Sequence, residues 1–276
     1  MNQNFLNAFA THKGYDSVES LLADRSKFEF QLSTNERGRE TLERIRPFIA
    51  PPLTEVSVLD IGCAYGGMCM AFAEQGAMAT GIDIGNGYID VANQNASGEP
   101  NVRFYEADAT RVDLQQILGK TFNFIMLNDV VEHIYDTYQL FENIKRCTTE
   151  NAQIFMRIPN GFNFDHVLAE PHKKVLGLSL IDPDCWQYFG LKTRPQVFYR
   201  QLGYYLMLIN GFNLGTTKIV NQMFSEARLN ADPPRSTILE GLKNVKSRWG
   251  KIRRTGVHQR RAEKFTLIAL NGVPPV

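Results

Sequence analysis

Five short apolar runs recur along residues 56–158, each followed by a turn or a helical pattern, and they set the architecture. Residues 56–61, 77–82, 102–105, 122–127 and 154–158 are short, mostly apolar runs of the kind that strands buried in a sheet show, with Val56, Val58, Leu59 and Ile61 marking the first. Between them, residues 68–75, 88–95 and 134–147 space their apolar side chains as helices do, and Gly76 can end the first of these. Upstream, residues 35–49 predict an amphipathic helix with Leu42, Ile45 and Ile49 on one face, broken by Pro51 and Pro52. Downstream, residues 195–210 predict an apolar helix, and residues 212–220 and 264–270 predict two further strands. Alternating strands and helices predict an α/β fold with a doubly wound, mostly parallel, seven-stranded sheet.

The expected organisation is an N-terminal helical cap, 1–52, and one catalytic domain, 53–276, with no detachable second domain. The aromatics Phe5, Phe9, Tyr15, Phe28 and Phe30 give the cap something to pack with, either as a support for the fold or as a lid over a ligand. Residues 161–194 form an insertion rich in His, Asp and aromatic side chains and punctuated by proline. It reads as an active-site lid, the alternative being a surface excursion. Residues 221–263 form a second insertion in which Lys243, Lys246, Arg248, Lys251, Arg253, Arg254, Arg260 and Arg261 face few acids. That stretch is either a solvated basic face or a docking patch for phosphate, nucleotide-sugar, anionic lipid or RNA.

Composition narrows this picture. With 276 residues, 43% of them hydrophobic, the chain can bury a sizeable core. A net charge of +1 gives no global reason to expect nucleic acid as a partner. Four cysteines without a C-x-x-C pair argue against a zinc site or a disulfide framework. Neither a signal peptide nor a run long enough to span a membrane is present, so a soluble, cytoplasmic protein is expected.

The chemistry is concentrated in the turns that follow the strands. Asp60, Gly62, Ala64, Gly66 and Gly67 form a small-residue turn before a helix start, where backbone N–H groups are free and a ligand can come close. Asp83 ends the next strand about twenty residues later, the place where an acid can accept from both ribose hydroxyls. The spacing D-x-G-x-A-x-G resembles the first motif of class I S-adenosylmethionine-dependent methyltransferases, with Ala64 in place of the usual middle glycine. The segment Asn128-Asp129-Val130-Val131-Glu132-His133 resembles the D-V-(V/L)-E-H signature of many small-molecule and RNA O-methyltransferases. Together the motifs cover about residues 56–160.

That resemblance implies S-adenosylmethionine as cofactor, S-adenosylhomocysteine as product, and cofactor contacts at Asp60, Gly62, Ala64, Gly66, Asp83, Ile84, Asp108, Ala109 and Asn128. Asp108 and the Ala109 N–H would read adenine, although an aspartate here also suits a helix cap or a turn. His133, His166 and His172 are the candidate general bases for removing a hydroxyl proton near neutral pH. Asp129, Glu132 and His133 would share one face if a helix began at 129. They would then resemble the Glu-x-x-Glu-His ligand set of metal-dependent small-RNA 2′-O-methyltransferases and ubiquinone-pathway O-methyltransferases. His166 or His172 could complete that set around Mg²⁺ or Mn²⁺, although Asp129 departs from the Glu of those families and metal-free chemistry is the favoured reading. No N-P-P-Y follows the fourth strand, which argues against a nucleic-acid-base or glutamine N-methyltransferase. The expected acceptor is a small-molecule hydroxyl on a sugar, glycan precursor or secondary metabolite. An RNA 2′-O-methyltransferase and a non-catalytic partner-binding member of the fold are the alternatives, and a homodimer is left open.

Overall fold

A computed structural model of the chain describes residues 2–168, 170, 172, 177–189, 197–214, 216–222 and 264–270; the basic residues from Lys243 to Arg261 lie outside them. Seven strands form one sheet: β1 (Ser57–Ile61), β2 (Met78–Asp83), β3 (Val102–Glu106), β4 (Phe122–Asn128), β5 (Thr148–Pro159), β6 (Thr216–Gln222) and β7 (Lys264–Leu270). Their order is β3-β2-β1-β4-β5-β7-β6. The first five run parallel, and β7 lies antiparallel between β5 and β6. The predicted seven-stranded, mostly parallel sheet therefore forms. Strand order reverses between β1 and β4, so the crevice at their carboxyl ends is where an open α/β sheet receives a ligand.

Both faces of the sheet are covered. Leu59, Ile61, Ile125, Leu127, Ile154 and Met156 point to one side, with Val58, Phe124, Met126 and Phe155 on the other. That alternation of period two, apolar on both sides, is why the strands read as continuous apolar runs.

The described helices are α1 (Gln3–His12), α2 (Val18–Ala23), α3 (Glu29–Leu32), α4 (Thr34–Ile45), α5 (Gly67–Ala73), α6 (Asn86–Asn95), α7 (Leu114–Leu118), α8 (Thr137–Cys147), α9 (Phe164–Leu168) and α10 (Leu202–Gly211). Helices α7, α8 and α10 cover the first face, and α4, α5 and α6 the second. Phe5, Phe9, Leu21 and Leu32 bury themselves against Tyr65 and Val91, which seats the cap on the β1–α5 turn and α6. Asn2 caps α1 with its side-chain Oδ1, which accepts from the Asn4 and Phe5 N–H groups, and donates from Nδ2 to the Gln94 carbonyl of α6.

Four local expectations are corrected. The helix expected over 35–49 ends at Ile45 and passes into a 3₁₀ turn, Arg46–Phe48, where Pro47 has no N–H to continue the ladder. The helix expected from 134 starts at Thr137, capped by the Asp136 carboxylate accepting from the Gln139 N–H. Residues 197–200 form no helix, so α10 starts only at Leu202; the Phe198 N–H donates to the Glu132 carbonyl and the Arg200 guanidinium donates to the carbonyls of Ile134 and Tyr135. Residues 212–214 form the turn that follows α10, with the Leu214 N–H donating to Ile209 O, so the strand expected from 212 starts at Thr216. Within the insertion, Trp186 is fully buried with Leu178 and Val197 packed beside it.

Candidate active site

The turn after β1 carries three consecutive left-handed positions at alternate residues: Gly62 (φ +75°), Ala64 (φ +46°) and Gly66 (φ +79°). At Gly62 a Cβ would lie 2.6 Å from Cγ2 of Val130, so only glycine lets the β1 turn nest against the β4 turn. Ala64 adopts a conformation that costs an L-residue about 1–2 kcal/mol. It is held there by Asp83, whose Oδ2 accepts from the Ala64 N–H at 3.0 Å and whose Oδ1 accepts from the Gly85 N–H at 3.0 Å. Each oxygen keeps lone-pair capacity for a further donor.

Asp83 lines a cleft of about 530 Å³ together with Gly62, Ile84, Asp108, Ala109, Val130 and His133. Ile84 is exposed and offers an apolar surface. The Asp108 Oδ1 accepts from both the N–H and the hydroxyl of Thr110, at 2.9 and 2.7 Å, and its Oδ2 lies 3.3 Å from Arg111 Nε. Asp108 thus closes a turn, one of the two roles expected of it, while still lining the cleft. Buried Asn143 of α8 holds that turn from behind, donating to the Ala109 carbonyl at 2.8 Å.

A second pocket of about 220 Å³ lies on the other side of Gly62 and is lined by Phe30, Arg37, Asp60, Ala64, Asn128 and Asp129. The cap therefore contributes to the wall of the site. Arg37 stacks on the Phe30 ring at 3.5 Å and donates from Nε to the Phe30 carbonyl. Burial lowers its pKa, as does the Arg157 guanidinium to a lesser degree, while Asp129 opposes both. Arg157 donates to Asp129 Oδ2 at 2.7 Å. Asp60 is buried, and its pKa is pushed up to about 7, first by burial and then by the Asp83 charge, with the Cys69 thiol 3.9 Å away acting against them. Asn128 Oδ1 is buried without a hydrogen-bond partner among the described residues, an acceptor on the pocket wall.

The histidines divide. His133 closes a 3₁₀ turn, Val131–His133, and lines the larger cleft. His172 meets it edge to face, with ring centroids 5.2 Å apart. His166 instead places Nδ1 2.8 Å from the Asn160 carbonyl, in the turn after β5. The helical face expected for Asp129, Glu132 and His133 does not form. Asp129 is left-handed (φ +57°), the turn begins only at Val131, and the Asp129 carboxylate is bound to Arg157. Among the described residues, no group of three His, Cys, Asp or Glu side chains could hold a metal ion. Arg37, Asn143, Glu170 and Tyr199 were not anticipated from sequence, whereas Phe30 was expected in the cap. Arg37 sits on an amphipathic helix whose charges read as a solvent face, and nothing in the sequence marks Glu170 as buried.

The donor and acceptor set suits an adenosyl group joined to an amino acid. Asp83 has acceptor capacity on the larger cleft, the Gly62 turn leaves room where a Cβ would intrude, and Asn128 offers an unused acceptor on the smaller pocket. Residues 59–156 match a family model described as a methyltransferase domain. Over 165 residues the chain is 32% identical to a ubiquinone biosynthesis O-methyltransferase of Mesorhizobium japonicum, a match covering 57% of this chain and 61% of that protein's length. A second relative of the same name, from Histophilus somni, is 30% identical over 111 residues, 39% of this chain and 47% of that one. Among solved structures, a SAM dependent methyltransferase from Archaeoglobus fulgidus is similar in fold. Its TM-score is 0.54 at 16% identity, over 88% of this chain and 99% of that one. Residues 59–156 thus match a methyltransferase domain, and the sheet built around them shares the fold of that solved methyltransferase.

Proposed function

We propose that this protein transfers the methyl group of S-adenosylmethionine to a hydroxyl of a small-molecule acceptor: a sugar, a glycan precursor or a secondary metabolite. The observation that carries the reading is that Asp83, the Gly62 turn and His133 line one cleft. When bound, the cofactor supplies an electrophilic methyl group on a sulfonium. Asp83 would accept from the ribose hydroxyls, Asp108 and Ala109 would bound the adenine, and Asp60 and Asn128 would face the amino-acid end. Alignment for in-line displacement then falls to the two turns, and proton removal to a histidine beside them. The two relatives named for O-methylation support a hydroxyl acceptor. Among the described residues no helix is long and apolar enough to cross a membrane. All four cysteines are free thiols, which fits the reducing cytoplasm proposed as its setting.

The test is methyl transfer from radiolabelled S-adenosylmethionine to a panel of hydroxylated small molecules, run beside unstructured RNA. Label entering a small-molecule hydroxyl supports the proposal. Label entering RNA, with affinity falling steeply as salt rises, would favour the alternative that the basic residues 243–261 suggest.

A further inference from the structure

The end of α6 is where the cap meets the turn after β1. Asn95, the last residue of α6, is buried, and both of its amide protons are in use. Its Nδ2 donates to the Tyr65 carbonyl and to Asn35 Oδ1, each at 2.8 Å, and its Oδ1 accepts from Asn35 Nδ2 at 3.0 Å. A carbonyl can only accept, so Tyr65 fixes which way the Asn95 amide points, and the reciprocal pair with Asn35 follows. Asn35 lies in the first turn of α4, within the cap. Asn2 adds a second tie from the cap, donating to the Gln94 and Asn95 carbonyls at 3.1 and 3.3 Å. These are the carbonyls that a helix end leaves without an intrahelical partner.

Tyr65 stands between the left-handed Ala64 and Gly66. Its carbonyl shares a peptide plane with the Gly66 N–H, which donates to the Cys63 carbonyl, so Asn95 sets the plane of the peptide inside the turn. The Tyr65 ring is buried against the cap, edge-on to Phe9 at 5.2 Å and to His12 at 5.9 Å. Two residues on, a Cβ on Gly67 would run into the Thr34 carbonyl, and one on Gly38 into the Gly67 carbonyl. Helices α4 and α5 therefore cross backbone against backbone. The cap holds the turn by an amide, a ring and a helix crossing, and Thr34, Arg37 and Thr41 of α4 wall the smaller pocket beyond it.

We propose that Asn95 is a positioning residue that couples the cap to the cofactor: the turn keeps its ligand-binding shape only while the cap is docked, and bound cofactor holds the cap down in return. The inference rests on the reading of this turn as part of the S-adenosylmethionine site. A left-handed alanine is unfavourable by itself, so the turn needs partners from outside. Asp83 supplies one from β2, and Asn95 supplies the other from the side of the cap. Coupling between two sites is reciprocal, so whatever cap docking adds to cofactor affinity, cofactor adds to cap docking.

Two variants separate the halves of the amide pair. Asn35→Ala removes the contact from the cap and leaves the donation from Asn95 to Tyr65. Asn95→Asp keeps an acceptor for Asn35 and removes that donation. The test is amide hydrogen exchange of the full chain with and without S-adenosylhomocysteine, beside calorimetric affinity for the same ligand at a temperature where each variant is folded. Without ligand, both variants should exchange faster at the hydrogen-bonded Gly62, Cys63 and Gly66 amides. Both should bind the ligand about 5-fold more weakly or worse. In the wild type the ligand should slow exchange in α1 and α4, and in the variants much less. An Asn35→Ala protein whose turn exchanges as in the wild type overturns the proposal. So does wild-type affinity in either variant, even with a lowered thermal midpoint, because the pair would then support only the fold. A wild type that binds no S-adenosylhomocysteine defeats the cofactor reading instead, and the ligand-free exchange at the turn then decides the link between cap and turn.

Discussion

The carboxylate of Asp83 accepts from the backbone N–H of Ala64 at 3.0 Å, tying the end of β2 to the turn that follows β1. One side chain thus shapes the turn and lines the cleft that the turn encloses. Asp83→Ala should therefore act twice, removing a charged acceptor and releasing a strained turn. A lost charge-assisted hydrogen bond is worth about 1.5–3 kcal/mol, so affinity for S-adenosylmethionine should fall about 10- to 100-fold. Calorimetric affinity equal to wild type would remove Asp83 from the site.

Ala64 offers the reverse experiment. Its φ of +46° costs about 1–2 kcal/mol, while a glycine would lose about 0.4–1 kcal/mol through the freer unfolded chain. Ala64→Gly should leave the fold equally or slightly more stable by urea denaturation and should still bind cofactor. Clear destabilisation would mean that the alanine methyl packs usefully where it stands.

Asp60 makes stability depend on pH. Its folded pKa, about 7, lies above the usual aspartate value, so between pH 4 and 7 the folded state holds a proton that the unfolded state has released. This group's contribution is therefore fully present at pH below 4 and is lost as pH rises through about 7. Asp60→Asn removes the titration. The stability difference between variant and wild type should grow in the variant's favour from pH 5 to pH 8, read as thermal midpoints. A difference that is flat with pH would show that Asp60 ionises normally.

Asn143 should matter at a distance from the chemistry. Asn143→Ala leaves the Ala109 carbonyl without its buried donor, at a cost of about 1–3 kcal/mol. Denaturant midpoints should drop accordingly, and the turn carrying Asp108 should loosen, visible as faster amide exchange there. A protein with an unchanged midpoint and unchanged exchange would contradict the bracing role of Asn143.

The inner strands were legible because burial on both faces leaves little polar alternation, as in β1 and β4, whereas edge strand β3 alternates buried Val102 and Phe104 with exposed Arg103 and Tyr105. The turn residues were legible as well, since Gly62 and Gly66 sit where a left-handed backbone or a close approach demands them. The stretches that escaped the reading are set by distant partners. Residues 197–200 carry apolar side chains at helical spacing, yet their N–H and guanidinium groups are taken by carbonyls of residues 132, 134 and 135. Asp129 reads as a helix-face residue until Arg157, 28 positions on, binds its carboxylate. Glu170 looks like any surface acid, because its burial depends on Tyr199 arriving from the far end of the insertion.

The most direct measurement is titration calorimetry of the full chain with S-adenosylmethionine and, separately, S-adenosylhomocysteine, in wild type and in Asp83→Ala. The cleft geometry predicts saturable one-to-one binding of both ligands to the wild type and at least tenfold weaker binding to the variant. An absence of binding heat at several temperatures, with a folded protein, would contradict the assignment of this cleft to the cofactor.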